Sequence, residues 1–476
     1  MNASANGIAP ALLSSIVKGF SIDSRTVAKG DLFFALAQPD YERNGFNGEF
    51  ADSHEFVPTA LASGAIAAVV RVDKLAEHRF LKEFADRLLI VEDCIAALQR
   101  LAAGVYLEWR KPIVAVTGSA GKTTAKELMA AVVAATGKRV LTNIKNYNNG
   151  LGHPLTVLRL ATEGEYDVAV LEMGMSTPLH EIKRLCRITP PDVAVELNVL
   201  PVHLEHLKTI ERIAEAKAEL VENMKPTGTA VLNTDDFRVA AMRDKAAGSR
   251  ILTYALDNAA DVTATEIKTV RFGETRFVLN TPKGAADATI KLVGRHNVSN
   301  ALAAAAVGLC FDLSPEQIAA ALATVAPPAM RGEVLRFAKG FEVINDSYNS
   351  NPDALLSMVE TLTSNGAYAQ RRIVVAGEML ELGESAAEIH FSTGQKIAAS
   401  SGIDALWGVR GLAQEMVAGA RQNGLADARF FADSDQAAQT IVAEIQPGDL
   451  ILVKGSRGVR MEKIVDGLLA KFSLTD

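Results

Sequence analysis

The stretch Thr117-Gly118-Ser119-Ala120-Gly121-Lys122-Thr123-Thr124 gathers two glycines, a lysine and several hydroxyls into one short run. Glycines let backbone N–H groups curl around phosphate oxygens, and a following helix N-terminus adds favourable partial charge. In that chemistry Gly118, Ser119, Ala120, Gly121 and Thr124 cradle the phosphates of ATP, Lys122 reaches the β- and γ-phosphates, and the Thr123 hydroxyl serves a magnesium ion. The spacing is two residues shorter than the usual G-x-x-x-x-G-K-[ST], because Val116 stands where the first glycine would be. A glycine turn with a solvated lysine is the plainer alternative, and the strand before and the helix after the loop argue against it.

Such a loop works only where a strand ends and a helix begins. Residues 113–116 are apolar and predict the strand, and 122–135 predict the helix; strands at 167–171 and 193–197 and helices at 297–309 and 315–325 follow. Strands alternating with helices imply a parallel sheet covered on both faces. Upstream, strands at 31–36 and 65–72 with helices at 56–63 and 95–109 predict a smaller α/β unit, which Lys111-Pro112 closes because the residue before proline leaves helical geometry. Downstream of the stiff Pro327-Pro328 pair, strands at 341–345, 373–376, 405–409 and 450–453 alternate with helical segments near Pro352, Ala387, Leu412, Ser434 and Arg460. The expected fold is therefore α/β in three domains: a small α/β domain over 1–110, a central parallel-sheet P-loop domain over 111–327, and a Rossmann-like doubly wound domain over 328–476.

Bulk properties agree with this division. The chain has 476 residues, and at roughly 150 residues per domain about three domains are expected. A net charge of −7 over that length creates no basic field for nucleic acid or an anionic membrane. Cys94, Cys186 and Cys310 are few and widely spaced, so reduced thiols are expected in place of a disulfide framework or a zinc site. Neither a secretory signal nor an apolar run of the ~20 residues that span a bilayer is apparent. The expectation is a cytoplasmic monomer without membrane insertion.

Beyond the loop, a series of segments in order along the chain resembles the Mur ligase family and its folylpolyglutamate synthetase relatives. The shortened Gly-[Thr/Ser]-x-Gly-Lys-Thr-[Ser/Thr] loop is one. Residues 143–154, with Asn149, resemble the asparagine-rich segment after it, and Glu172-Met-Gly-Met-Ser resembles the family's strand-end magnesium glutamate. His203-Leu-Glu resembles the second magnesium ligand, and Lys217 in Ala-Glu-Ala-Lys-Ala-Glu the carbamylated lysine. Gly294-Arg-His-Asn-Val-Ser-Asn resembles the adenine-contacting motif and places Asn297 and Asn300 near the base. Arg331-Gly-Glu and Asp346-Ser-Tyr-Asn-Ser-Asn-Pro resemble the linker arginine and the first C-terminal motif, with Tyr348, Asn349 and Asn351. Gly377-Glu-Met-Leu-Glu-Leu-Gly-Glu and Val453-Lys-Gly-Ser-Arg-Gly, the latter carrying Lys454, Ser456 and Arg457, resemble the D-alanyl-D-alanine-adding member, and the Asp-Asn-Pro-Arg motif of the diamino-acid-adding relative is absent. Asp23-Ser-Arg reads either as a polar turn before Val27 or, by its resemblance to the family's UDP-side motif, as placing Ser24 and Arg25 on the pyrophosphate, since hydroxyl and guanidinium donors suit phosphate oxygens. Asp52-Ser-His-Glu-Phe, after an insertion-like 38–48, departs from the family's Gly-x-x-x-Asp-Gly-His-x-Phe.

The resemblance implies an ATP-dependent amide ligase acting on a UDP-N-acetylmuramoyl-tripeptide, held by the first domain, and D-Ala-D-Ala, held by the third. Two magnesium ions are implied, with Thr123, Glu172, His203 and carbamylated Lys217 as ligands. Lys122, Glu172, His203 and Lys217 would carry the catalysis, through phosphorylation of the tripeptide carboxylate and attack by the dipeptide amine. Taken singly, these residues say less: a strand-end glutamate is more often a solvated group, and a lysine among charged helix neighbours is normally a solvated ion. Another ligase of the same superfamily would share the central domain but not the wording at 346–352 and 454–457. A switch or transport ATPase would need a Walker-type loop, Asn-Lys-x-Asp or transporter segments, none of which the sequence contains.

Overall fold

Apolar runs such as Ile-Val-Ala-Val-Thr and Asp-Leu-Ile-Leu-Val-Lys are buried along their whole length, as parallel strands covered on both faces must be. In the computed structural model, which describes residues 14–475 apart from 145, 176–179, 202–206, 208, 247 and 328, such runs assemble into three sheets in chain order. The first is parallel and joins β1 (Gly19–Ser21), β2 (Asp31–Phe34), β3 (Ala67–Arg71) and β4 (Leu88–Val91) in sequence.

The central sheet contains β5 (Ile113–Thr117), β6 (Val140–Thr142), β7 (Val168–Glu172), β8 (Val193–Glu196), β9 (Thr229–Asn233), β10 (Arg250–Ala255), β11 (Val262–Arg271), β12 (Glu274–Thr281) and β13 (Gly284–Ile290). Their order is β13-β12-β11-β10-β9-β8-β5-β7-β6. Strand β5 lies between β7 and β8, in register Val116 to Glu172 and Thr117 to Glu196. Three polar side chains thus end neighbouring parallel strands at the carboxyl edge, where open α/β sheets bind ligands. Strands β11 to β13 form an antiparallel meander at one edge, which the expectation of a purely parallel sheet did not contain. The cause is local: β12 alternates buried and exposed residues, and Gly273 and Gly284 turn the chain with φ of +95° and +123°. That period-two pattern suits a strand with one solvated face.

The third sheet joins β14 (Glu333–Arg336), β15 (Glu342–Asp346), β16 (Arg371–Gly377), β17 (Ala405–Val409), β18 (Asp427–Phe431) and β19 (Asp449–Lys454) in the order β14-β15-β19-β16-β17-β18, with β14 antiparallel to the rest. Helices cover both of its faces, packing into two separate apolar clusters. Among the described residues no helix is long and apolar enough to cross a membrane.

The insertion near residue 38 is a short helix, Gln38–Arg43, pinned by Asp40, which is buried and pairs with Arg71 at 2.8 Å. Its Tyr41 ring stacks on Phe50 at 3.8 Å between centroids. The divergent Asp52-Ser-His segment is structural: buried His54 places Nδ1 2.7 Å from the Asp52 carboxylate and accepts the Arg71 N–H at Nε2 over 3.0 Å.

Candidate active site

The 118–121 loop links β5 to the Lys122–Ala134 helix. Gly121 has φ of +84°, and a Cβ there would lie 2.6 Å from Asn300 Oδ1, so only glycine gives both the turn and the close approach. The segment after β8 braces the loop from the other side. Ala120 N–H donates to Asn198 Oδ1 at 2.9 Å, and Asn198 Nδ2 donates back to the Ala120 carbonyl at 3.1 Å. Ser119 N–H donates to the Asn198 carbonyl at 3.0 Å. Lys122 folds over the loop, its Nζ donating to the Gly118 carbonyl at 2.7 Å. Burial pushes its ammonium pKa down, Glu172 opposes that shift, and Arg331 adds to it.

Glu172 closes the far side. It is 3% exposed; Thr123 Oγ1 donates to its Oε2 at 2.9 Å and Asn148 Nδ2 to its Oε1 at 2.6 Å. Its own N–H donates to Asn143 Oδ1 at 2.6 Å, so the asparagine-rich segment sets the height of this strand end. A carboxylate and a hydroxyl meeting beside a phosphate loop form the hard-oxygen donor set that magnesium favours.

Lys217 lies on the Ile210–Glu222 helix, which packs on β8 and β5, and is buried. Burial, with Lys122 nearby, lowers its pKa to about 7, while Glu196 acts in the opposite sense. Glu196 is fully buried. Desolvation raises its pKa well above the carboxylate range, Lys217 opposes that rise and Asp236 adds to it. Neither Glu196 carboxylate oxygen nor Thr117 Oγ1 has a hydrogen-bond partner among the described residues. His203, the other expected metal ligand, lies outside the described residues.

A cavity of about 320 Å³ opens between the second and third sheets. Its walls include Ser119, Gly121, Asn297, Asn300, Arg331 and Asp346. Asn297 and Asn300 are buried and joined by a 3.1 Å hydrogen bond. The Arg331 guanidinium lies 3.3 Å from Thr123 Oγ1 and 4.0 Å from the Tyr348 ring centre. Asp346 receives Lys454 Nζ at 2.5 Å, and Lys454 also donates to the Asn349 carbonyl at 3.0 Å. A second cavity of about 180 Å³ adjoins it, lined by Asn349, Asn351, Glu381, Ser456 and Arg457 among others.

Not every expected residue joins this centre. Ser24 and Arg25 sit in the turn after β1 and line neither cavity; Arg25, highly exposed, makes a two-pronged contact with Asp23. Asn149 spends its side-chain oxygen on the N–H groups of Leu151 and Gly152, starting the Gly152–Leu158 helix. Asn351 does line both cavities, and its Oδ1 also caps the Pro352–Asn365 helix through Ala354 N–H at 2.8 Å.

The Mur ligase middle domain matches residues 116–308, and the Mur ligase, glutamate ligase domain matches residues 330–457. The UDP-N-acetylmuramoyl-tripeptide–D-alanyl-D-alanine ligase of Mycobacterium tuberculosis is 35% identical, over 94% of this chain and 91% of that one. This chain belongs to the Mur ligase family. The Mur ligase is also 34% identical to the Escherichia coli protein of the same description, over 94% and 92% of the two chains. In structure it is similar to MurF from Acinetobacter baumannii, with a TM-score of 0.82 at 29% identity over 96% and 94% of the chains. MurF of Thermotoga maritima, solved with ADP, gives 0.79 at 25% identity over 98% and 99%.

Asn148, Asn198, His296 and Glu196 of this Mur ligase are not singled out by the sequence alone. Asn148 stands beside the chosen Asn149, and only the turn decides which amide reaches the strand end. His296 lies inside the quoted 294–300 motif and lines the larger cavity. Asn198 could have been suspected, being a polar residue directly after an apolar strand. Glu196 carried a visible signal, a glutamate closing the run Val-Ala-Val-Glu.

Proposed function

We propose that this Mur ligase uses ATP to join D-alanyl-D-alanine to a UDP-N-acetylmuramoyl-tripeptide, with ADP and phosphate as the other products. The observation that carries the reading is the shared cavity, which has the phosphate loop on one wall and Asp346, Lys454 and Arg331 on the other. A carboxylate is a poor electrophile because attack must expel an oxide, and phosphorylation supplies a leaving group. The relatives' names support this substrate pair, and the ADP held by the Thermotoga maritima protein supports the nucleotide.

In this scheme the 118–121 backbone and Thr124 bind the phosphates, Lys122 balances charge on the transferring phosphoryl group, and Asn297 and Asn300 hold the base. Magnesium held by Thr123, Glu172, His203 and Lys217, as two ions, would withdraw charge from the phosphoryl oxygens. Arg331 and Asp346 bring the third domain against the nucleotide. Tyr348, Asn349, Asn351, Lys454, Ser456 and Arg457 orient the dipeptide amine toward the acyl phosphate. Ser24, Arg25 and Asn149 serve the UDP-tripeptide. The domains implied are 1–110 for the UDP-substrate, 111–327 for ATP and 328–476 for D-Ala-D-Ala, in a cytoplasmic monomer.

Lys217 acts as a carbamate. Its neutral amine attacks the carbon of CO₂, a C–O π pair moves onto oxygen, and the nitrogen releases one proton to solvent. An ammonium would repel the cations, whereas carbamate oxygens suit them, and the lowered pKa keeps the amine partly neutral near pH 7.

The test is phosphate release from ATP with UDP-muramoyl-tripeptide and D-Ala-D-Ala given separately and together. Turnover that needs both is expected, and equal hydrolysis without either would refute the ligase reading.

A further inference from the structure

We infer that Glu196 is a positioning residue for Lys217: its carboxyl group accepts the one hydrogen the Lys217 nitrogen keeps after carbamylation, and both carbamate oxygens are left free for the cations. The inference rests on the carbamylation proposed above and adds a residue to it.

Glu196 ends β8, in register with Thr117, the residue from which the phosphate loop departs. The helix bearing Lys217 packs against the same strand. Both side chains are buried, and the charge on each bears directly on the other. Of the groups around Glu196, the Thr117 hydroxyl on the neighbouring strand is unpartnered, and the others are committed. Tyr254 hydroxyl donates to the Glu196 main-chain carbonyl at 3.2 Å, leaving the carboxyl group alone. Asp236 receives the N–H groups of Val199 and Arg238. Lys122 is turned to the Gly118 carbonyl. What remains is a buried carboxyl group with two unpartnered oxygens and, on the helix packed against its strand, a buried lysine whose side chain has no hydrogen bond or ion pair among the described residues. A buried polar group without a partner is unfavourable, and each of these supplies what the other lacks. A lysine carbamate has one N–H and two oxygens; if Glu196 takes the N–H, the side chain is fixed with its oxygens turned from β8.

The test follows the modification itself. Full-length protein equilibrated with ¹³C-labelled bicarbonate should give a carbamate carbon resonance that Lys217→Ala removes. Glu196→Gln keeps an acceptor oxygen and should hold the wild-type CO₂ dependence. Glu196→Leu should need about tenfold more dissolved CO₂ for the same occupancy, the worth of one buried hydrogen bond to a charged group. Its turnover should fall at ambient CO₂ and recover as CO₂ is raised, while in CO₂-free buffer, where unmodified Lys217 leaves the acid unpaired, its melting temperature should hold or rise above wild type. Glu196→Ala gives the same comparison if the leucine packs badly. A Lys217-dependent resonance with unchanged CO₂ demand in the Leu and Ala variants would overturn the role of Glu196 and leave carbamylation standing. No such resonance in the wild type would overturn both.

Discussion

Lys122 lies along the loop, hydrogen-bonded to the Gly118 carbonyl, and in the proposed reaction it exchanges that partner for phosphate oxygens of ATP. Lys122→Ala should therefore lower turnover by orders of magnitude, each tenfold being about 1.4 kcal/mol of transition-state stabilisation, with an unchanged circular dichroism spectrum. Asp52 sets a second test, of stability. Burial works against its carboxylate, but hydrogen bonds from the His54 N–H, His78, Lys74 and the His54 ring outweigh it and hold the pKa well below the usual range. A depressed folded-state pKa stabilises the protein above the unfolded value of about 3.9 and loses that effect as pH falls through the folded one. Asp52→Asn should accordingly lower the melting temperature at pH 7, and the gap from wild type should narrow progressively below pH 4. Residue-scale legibility followed the chemistry. The loop could be read because glycine, lysine and threonine at fixed offsets have few other uses, whereas Asn148 and Asn198 matter through contacts that depend on the path of a turn.

Strands β7, β5 and β8 bring Glu172, Thr117 and Glu196 to one edge, and the burial periodicity that forms them is plain in the chain. The expected strand at 405–409 coincides with β17 and that at 113–116 lengthens by one residue. The meander of β11 to β13 was missed because its alternation is weak and its turns rest on isolated glycines. Local geometry also makes a prediction at the loop-to-helix junction. Gly121→Ala would strain a backbone at φ of +84° and push a methyl group to 2.6 Å from Asn300 Oδ1. Apparent ATP affinity, measured by nucleotide titration, should fall by about tenfold or more, since 1.4 kcal/mol suffices for that, while the melting temperature without nucleotide should move little. A normal affinity would detach Asn300 from the adenine side.

The third sheet packs into two apolar clusters drawn almost wholly from its own helices and strands, so the last domain should fold by itself. A fragment from residue 329 to 476 should melt cooperatively, yet neither it nor a 1–327 fragment should ligate, because Arg331 and Asp346 face the phosphate loop across the domain junction. Ligation by 1–327 alone would remove both residues from the mechanism. Ser119, Asn349, Ser350 and Asn351 line both cavities, and that common wall has a pharmacological consequence. On the proposed reading, with nucleotide in the larger cavity and dipeptide in the smaller, a nucleotide mimic tethered to a dipeptide mimic would need to cross only that shared wall. Binding of the first half would present the second at a millimolar effective concentration, and the joined compound should bind on the order of 10²–10⁴ times more tightly than either half. Titration with a graded set of tether lengths should give an optimum at a short one and a fall beyond it, and a flat series would show that the two chambers do not communicate through that wall.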